Sequence, residues 1–166
     1  MISHWIALVL VLLLLGPSVA GAAEWAETGS PHCRCRFAMP GTPTYSSQPA
    51  ARDRPSVDQW FLETDKAAYF VSATSLPQEL LRDRTMLQEG ARGAVLKGRT
   101  LVSEKRMTVQ GHPGLEIVVD DQKDWRLTMR LVLADTVLYQ YGIRTPKGER
   151  NAADETKFFD SFKLGQ

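Results

Sequence analysis

Between Thr100 and Ile143 the chain alternates polar and apolar residues with a period of two. In WRLTMRLVL, Trp125, Leu127, Met129, Leu131 and Leu133 fall on one side of an extended backbone, and Arg126, Thr128, Arg130 and Val132 on the other. Leu115, Ile117 and Val119 alternate likewise, as do Val137, Tyr139, Tyr141 and Ile143, and Leu101, Met107 and Val109 fit a further strand. The connections QGHPG, DDQK and ADT are short and rich in turn formers. The pattern predicts a four-stranded antiparallel meander over Leu101 to Ile143, with a shared apolar face that needs a covering layer.

Upstream, two apolar-rich runs, Val57 to Thr64 and Ala67 to Ala73, flank Asp65-Lys66 and predict a hairpin. Ser75-Leu76-Pro77-Gln78 has the form of a capping box and predicts a helix start, with Leu80, Leu87, Ala91, Ala94 and Val95 gathered on one stripe. Thr85 to Gln88 repeats the box, which splits the segment into two short helices. Gly90 and Gly93 each cost about 1 kcal/mol relative to Ala, so packing must hold this helix in place. Near the end, Asn151 is a cap with Asp154 three residues on, and Phe158 and Phe162 lie one turn apart on a docking face. The order of strands, helix, strands and helix gives an α+β class: a central antiparallel sheet of about six strands flanked by helices.

Length and composition change this picture mainly at the front of the chain. The 166 residues, 43% hydrophobic, suit one folded domain, placed here at 34–166. Ile6 to Leu15 is an uninterrupted apolar run followed by Gly16-Pro17 and small residues, the form of a signal peptide over 1–23 with cleavage after Ala22 or Ala23. Residues 1–23 carry no Lys or Arg, which leaves an uncleaved N-terminal anchor as the alternative. An exported location, periplasmic or secreted, follows from the first reading. Residues 24–33 read as a flexible leader, and the proline-rich stretch from Pro40 to Pro55 as a long loop or weak edge strand. The formal charge of +1 argues against a nucleic-acid partner.

Chemistry-bearing residues concentrate in SPHCRCRFAMPGTP, where His32, Cys33 and Cys35 stand within four positions. In an extended strand Cys33 and Cys35 would sit about 6.6 Å apart, close to the ~6.8 Å limit for a disulfide, so a bond between them is expected to be strained. As metal ligands the three are one short of a usual zinc set, and their spacing is tighter than usual. No metal or cofactor is expected. The stretch reads mainly as the approach to a first strand, with Phe37 and Met39 facing the core. His112 lies in a turn; Asp120, Asp121 and Asp124 are explained by a hairpin; Glu104, Lys105 and Arg106 solvate a strand. Arg126 and Arg130 offer a cationic strip unless an element packs over them. No nucleophile elbow, phosphate loop or zinc-protease helix is present, so no catalytic residue is assigned.

The segments FAMPGTP (37–43), AAYFVSATSLP (67–77), GHPGLEI (111–117), RLVLADTVLYQYGI (130–143) and FFDSFKL (158–164) together resemble a group of small exported bacterial proteins of unknown function. That group is similar in layout to the PsbP-like fold, a central antiparallel sheet with helices on both faces. Members of the wider fold, such as an extrinsic photosystem subunit and a nuclear import factor that binds a small GTPase, act by binding other proteins. Together with the signal peptide and the lack of a catalytic constellation, the resemblance implies an exported, non-enzymatic module that binds another envelope or secreted protein or stabilises an envelope assembly, and it assigns no contact residue. The competing class is a small redox or metal-binding protein working through His32, Cys33 and Cys35.

Overall fold

The computed structural model describes residues 24–165 apart from Pro31, Asp53 and Gln122. The expected signal peptide at 1–23 lies outside the described residues. In chain order the elements are β1 (Ala26–Ser30), β2 (Cys35–Met39), β3 (Thr44–Gln48), β4 (Ser56–Glu63) and β5 (Ala68–Ser75), then a single 3-10 turn (Leu80–Arg82) and α1 (Arg84–Leu96). The chain continues through β6 (Thr100–Val109), β7 (His112–Asp120), β8 (Trp125–Ala134) and β9 (Val137–Pro146) to α2 (Ala152–Ser161) and β10 (Lys163–Leu164).

The meander and the β4–β5 hairpin join in one antiparallel sheet of order β3-β4-β5-β9-β8-β7-β6. The expected single sheet of about six strands is instead this seven-stranded sheet plus a small one of order β1-β2-β10. The supposed leader is therefore partly a strand: Ala26 pairs with Met39 and Ser30 with Cys35. AETGS shows no apolar alternation because β1 is an outer strand whose residues are exposed or half-buried, so the period that marks core strands is absent there.

The helix start also moves. Ser75 is the last residue of β5, registered between Ser56 and Val137, and the next amide, Leu76 N, donates to Thr136 O at 2.7 Å. Long-range pairing wins over the local capping box. The helix begins at Arg84, capped by Asp83, whose Oδ1 accepts from Met86 N at 2.8 Å. Of the anticipated stripe only Val95 is fully buried; Leu80 and Ala94 are exposed.

Register divides the apolar residues of the meander between two faces rather than one. Leu115 sits opposite Leu131 and Ile117 opposite Met129, while Val132 sits opposite Tyr139 and Arg130 opposite Tyr141. The first face holds a small aliphatic core, Leu115, Ile117, Val119, Met129 and Leu131, under Val95 of α1. The second carries Tyr69, Val71, Tyr139, Tyr141 and Ile143 beneath Phe158, Phe159 and Phe162 and the small sheet. Phe162 stacks on Tyr141 with centroids 4.0 Å apart, and Phe158 meets Tyr69 edge-on at 5.5 Å. Asn151 caps α2 as its sequence position predicts, accepting from Asp154 N at 3.1 Å.

Candidate functional site

His32, Cys33 and Cys35 do not form a common donor set. Cys33 and Cys35 are joined by a disulfide and are 1% and 6% exposed, whereas His32 is exposed at the surface. The extended-strand spacing assumed from the sequence does not apply. Arg34 adopts a left-handed conformation with φ of 49°, a turn that brings the two Cα atoms to 5.2 Å, inside the ordinary range for a disulfide. The turn is tied to the main sheet by Tyr139, whose hydroxyl donates to Cys33 O at 2.8 Å. Phe37 and Met39 of β2 are buried, facing the aromatic core.

The other charged candidates are taken up by one another. Arg126 Nε donates to Asp120 Oδ1 at 2.8 Å, and Arg130 Nε to Glu116 Oε2 at 2.9 Å. The Arg130 guanidinium also lies 4.4 Å over the ring of Phe159. Arg130 is thus packed under Phe159 of α2, while Arg126 stays partly exposed, paired to Asp120. The hydrogen bond from Arg126 holds the Asp120 carboxyl below the usual carboxylate range. Burial alone would raise Asp121, but Arg144 and the backbone amides of Lys123 and Trp125 outweigh it and lower its pKa. Asp121 therefore closes its own hairpin, as a turn carboxylate does. Among the described residues no three His, Cys, Asp or Glu side chains are grouped to hold a metal.

Beneath α2, the Tyr141 hydroxyl is fully buried with no hydrogen-bond partner among the described residues, and the Arg130 guanidinium stands near it. Burial pushes this phenol up to about 12.

What the sequence left almost unmarked is the pair of edges of the large sheet. At one end β6 is guarded: its register shifts at a bulge between Leu101 and Ser103, and Glu104, Lys105 and Arg106 stand along it. Arg92 of α1 bonds Glu104, tying the helix to this edge. Bulges and edge charges discourage another chain from pairing. At the other end β3, TYSSQ, carries no charge, pairs residue for residue with β4 without a bulge, and is exposed along its whole length. Tyr45 is 47% exposed, its ring 4.9 Å from Trp60 and its hydroxyl donating to Asp58 Oδ1 at 2.7 Å. That bond to Asp58 raises the Tyr45 pKa. On the opposite face Phe61, registered with Thr44, is 48% exposed. The sequence signals for this edge were the prolines that mark Pro40 to Pro55 as a long loop or weak edge strand, and the absence of charge between Pro43 and Pro49.

With the architecture in place, the chain can be compared with known proteins. No family model matches it, and no curated protein does. The solution structure of cyanobacterial PsbP (CyanoP) from Synechocystis sp. PCC 6803 superposes with a TM-score of 0.55 at 14% identity, covering 91% of this chain and 98% of that one. The fold is PsbP-like. At this identity the likeness concerns the path of the backbone, not the side chains of any PsbP site. The protein of unknown function PA94 from Pseudomonas aeruginosa aligns over 66% of this chain and 86% of its own at 14% identity and a TM-score of 0.43. A protein from Bacteroides thetaiotaomicron VPI-5482 aligns over 84% of this chain and 48% of its own at 11% identity and a TM-score of 0.42. Among the described residues no helix is long and apolar enough to cross a membrane.

Proposed function

We propose that the protein is an exported, non-enzymatic binding module whose partner, another envelope or secreted protein, adds a strand to β3. The observation that carries this reading is the asymmetry of the large sheet: β6 is bulged and charged, whereas β3 is unbulged, uncharged and exposed. An added strand would gain main-chain hydrogen bonds along β3, and its alternate side chains would lie beside Tyr45 and Ser47 on one face and beside Thr44, Ser46 and Gln48 on the other, with Phe61 of β4 one strand further in behind Thr44. The apolar run Ile6 to Leu15 and the small residues after it support the exported location.

The experiment is site-specific photo-crosslinking in intact cells, with p-benzoylphenylalanine at Ser46 of β3 or at Lys105 of β6. A discrete adduct from position 46 and none from 105 is the expected result. Ser46→Lys combined with Ser47→Lys should leave thermal unfolding unchanged and abolish partner capture, because both positions are exposed and edge lysines oppose strand addition. Equal adducts from both edges, no adduct from either, or capture that survives the lysines would overturn the reading.

A further inference from the structure

A second feature lies away from β3, where the N-terminal end of α2, the β4–β5 turn and Trp25 enclose an open concavity of about 800 Å³. Its wall includes the aromatic rings of Trp25 and Tyr69, and its rim carries four carboxylates, Asp65, Glu149, Asp154 and Glu155, against the ammonium groups of Lys66 and Lys157. Trp25 and Tyr69 meet edge-on, with centroids 6.0 Å apart and planes at 85°. Asp65, Glu149 and Asp154 border the space, and none of the three carboxylates has a salt-bridge partner among the described residues. Glu155, also at the rim, is already taken by Arg150 at 2.7 Å. Tyr69 lines the concavity although only 3% exposed. Burial first, then the carboxylates of Asp154 and Glu155, push its phenol up to about 12, so the negative field of the rim reaches the aromatic wall.

The side chain of Lys157 shows what such a wall accepts. Its Nζ lies 4.8 Å from the centroid of the Trp25 ring, although Asp154 stands one helical turn away. A cation therefore already occupies the face of Trp25, supplied from an exposed position on a flexible side chain. We propose that this concavity binds a ligand carrying an ammonium or guanidinium group, which displaces Lys157 from the face of Trp25 and is held by the carboxylates of Asp65, Glu149 and Asp154. Either a free polyamine or a basic side chain of a polypeptide presents that chemistry.

The test is titration of the isotopically labelled protein at low salt, following the Trp25 indole N–H by NMR. The titrants are spermidine, the peptide acetyl-AKAKA-amide, and its neutral counterpart with norleucine at the lysine positions. Saturable movement of the Trp25 signal with spermidine or the lysine peptide, and none with the norleucine peptide, is expected; whichever titrant is tighter identifies the source of the cation. Lys157→Met should tighten binding severalfold by removing the resident competitor. Trp25→Leu should weaken it about threefold to fivefold, the scale of a partly exposed cation–π contact. Asp65→Asn, in an exposed turn, should weaken it without disturbing the fold. Equal response to the norleucine peptide, no response to either cation, or unchanged affinity in Lys157→Met would overturn the proposal.

Discussion

The two faces of the large sheet are built differently although they share the same strands. The face under α2 and the small sheet is aromatic, with Phe37, Trp60, Tyr69, Tyr139, Tyr141, Phe158, Phe159 and Phe162 buried together. The face under α1 is aliphatic and smaller, and a single residue of the helix, Val95, is fully buried against it. Cooperative stability should therefore reside on the aromatic face, while α1 opens locally at lower free energy. A sheet with two cores does not need both lids equally fastened.

The largest effect expected from this contrast is Phe158→Ala. Phe158 is 1% exposed and touches Tyr69, Tyr141 and Phe159, so its truncation should destabilise the protein by about 3–5 kcal/mol in urea unfolding. A loss under 1 kcal/mol would mean that the aromatic face is not the main core.

Next comes Gly142, on the α1 face of β9, where a Cβ would fall 2.5 Å from Thr128 O and 2.7 Å from Met129 Cβ. The neighbour is backbone and cannot swing aside, so Gly142→Ala should cost about 1–3 kcal/mol through overpacking between β8 and β9. The smallest of the packing effects is Val95→Ala, roughly 1.5 kcal/mol for two buried methyl groups at about 0.8 each. In hydrogen exchange this variant should speed the α1 amides and leave those of α2 unchanged; equal acceleration in both helices would show that the two faces open as one.

The faces should also differ in their response to pH. Both phenols pushed up to about 12, Tyr69 and Tyr141, belong to the aromatic face. A phenol whose folded pKa is raised contributes stability that is fully present below its unfolded value of about 10 and is lost as pH rises toward 12. Ultraviolet titration of phenolate should lag behind that of the urea-unfolded chain, and Tyr141→Phe should reduce the lag.

On the α1 side Arg144 pairs with Asp121 and lies 4.5 Å over Trp125. The Asp121 pKa is lowered, so its contribution is present above about 4 and is lost as pH falls through the lower folded value. Asp121→Asn should flatten the decline of stability below pH 4. An unchanged acid profile would remove this pair from the comparison.

How much of this was legible in the sequence depended on whether a residue's setting was local. WRLTMRLVL announces β8, and Asn151 announces the start of α2, because alternation and capping are properties of neighbouring residues. Ser75 misled for the complementary reason: its box is locally sound, but pairing with Ser56 and Val137 from distant segments holds it in a strand. The division of the meander into two faces was hidden because shifting one strand by a single residue exchanges all its side chains. No pattern within β9 says whether Tyr141 lies beside Arg130 or Met129. Arg34 gave no sign that it would turn left-handed and bring Cys33 to Cys35. The open edge was the least visible, since β3 is defined by lacking the charges and bulge that β6 carries.

The small sheet carries a consequence for the order of assembly. Ala38 N of β2 donates to Ser161 Oγ across 123 positions, and Lys163 and Leu164 complete the pairing of β2. Residues that emerge early from the ribosome must therefore wait for residues that emerge late, and until then the tyrosine-lined side of the sheet stays wet and adhesive. Whatever holds the nascent chain during that interval is protecting the surface that α2 later seals.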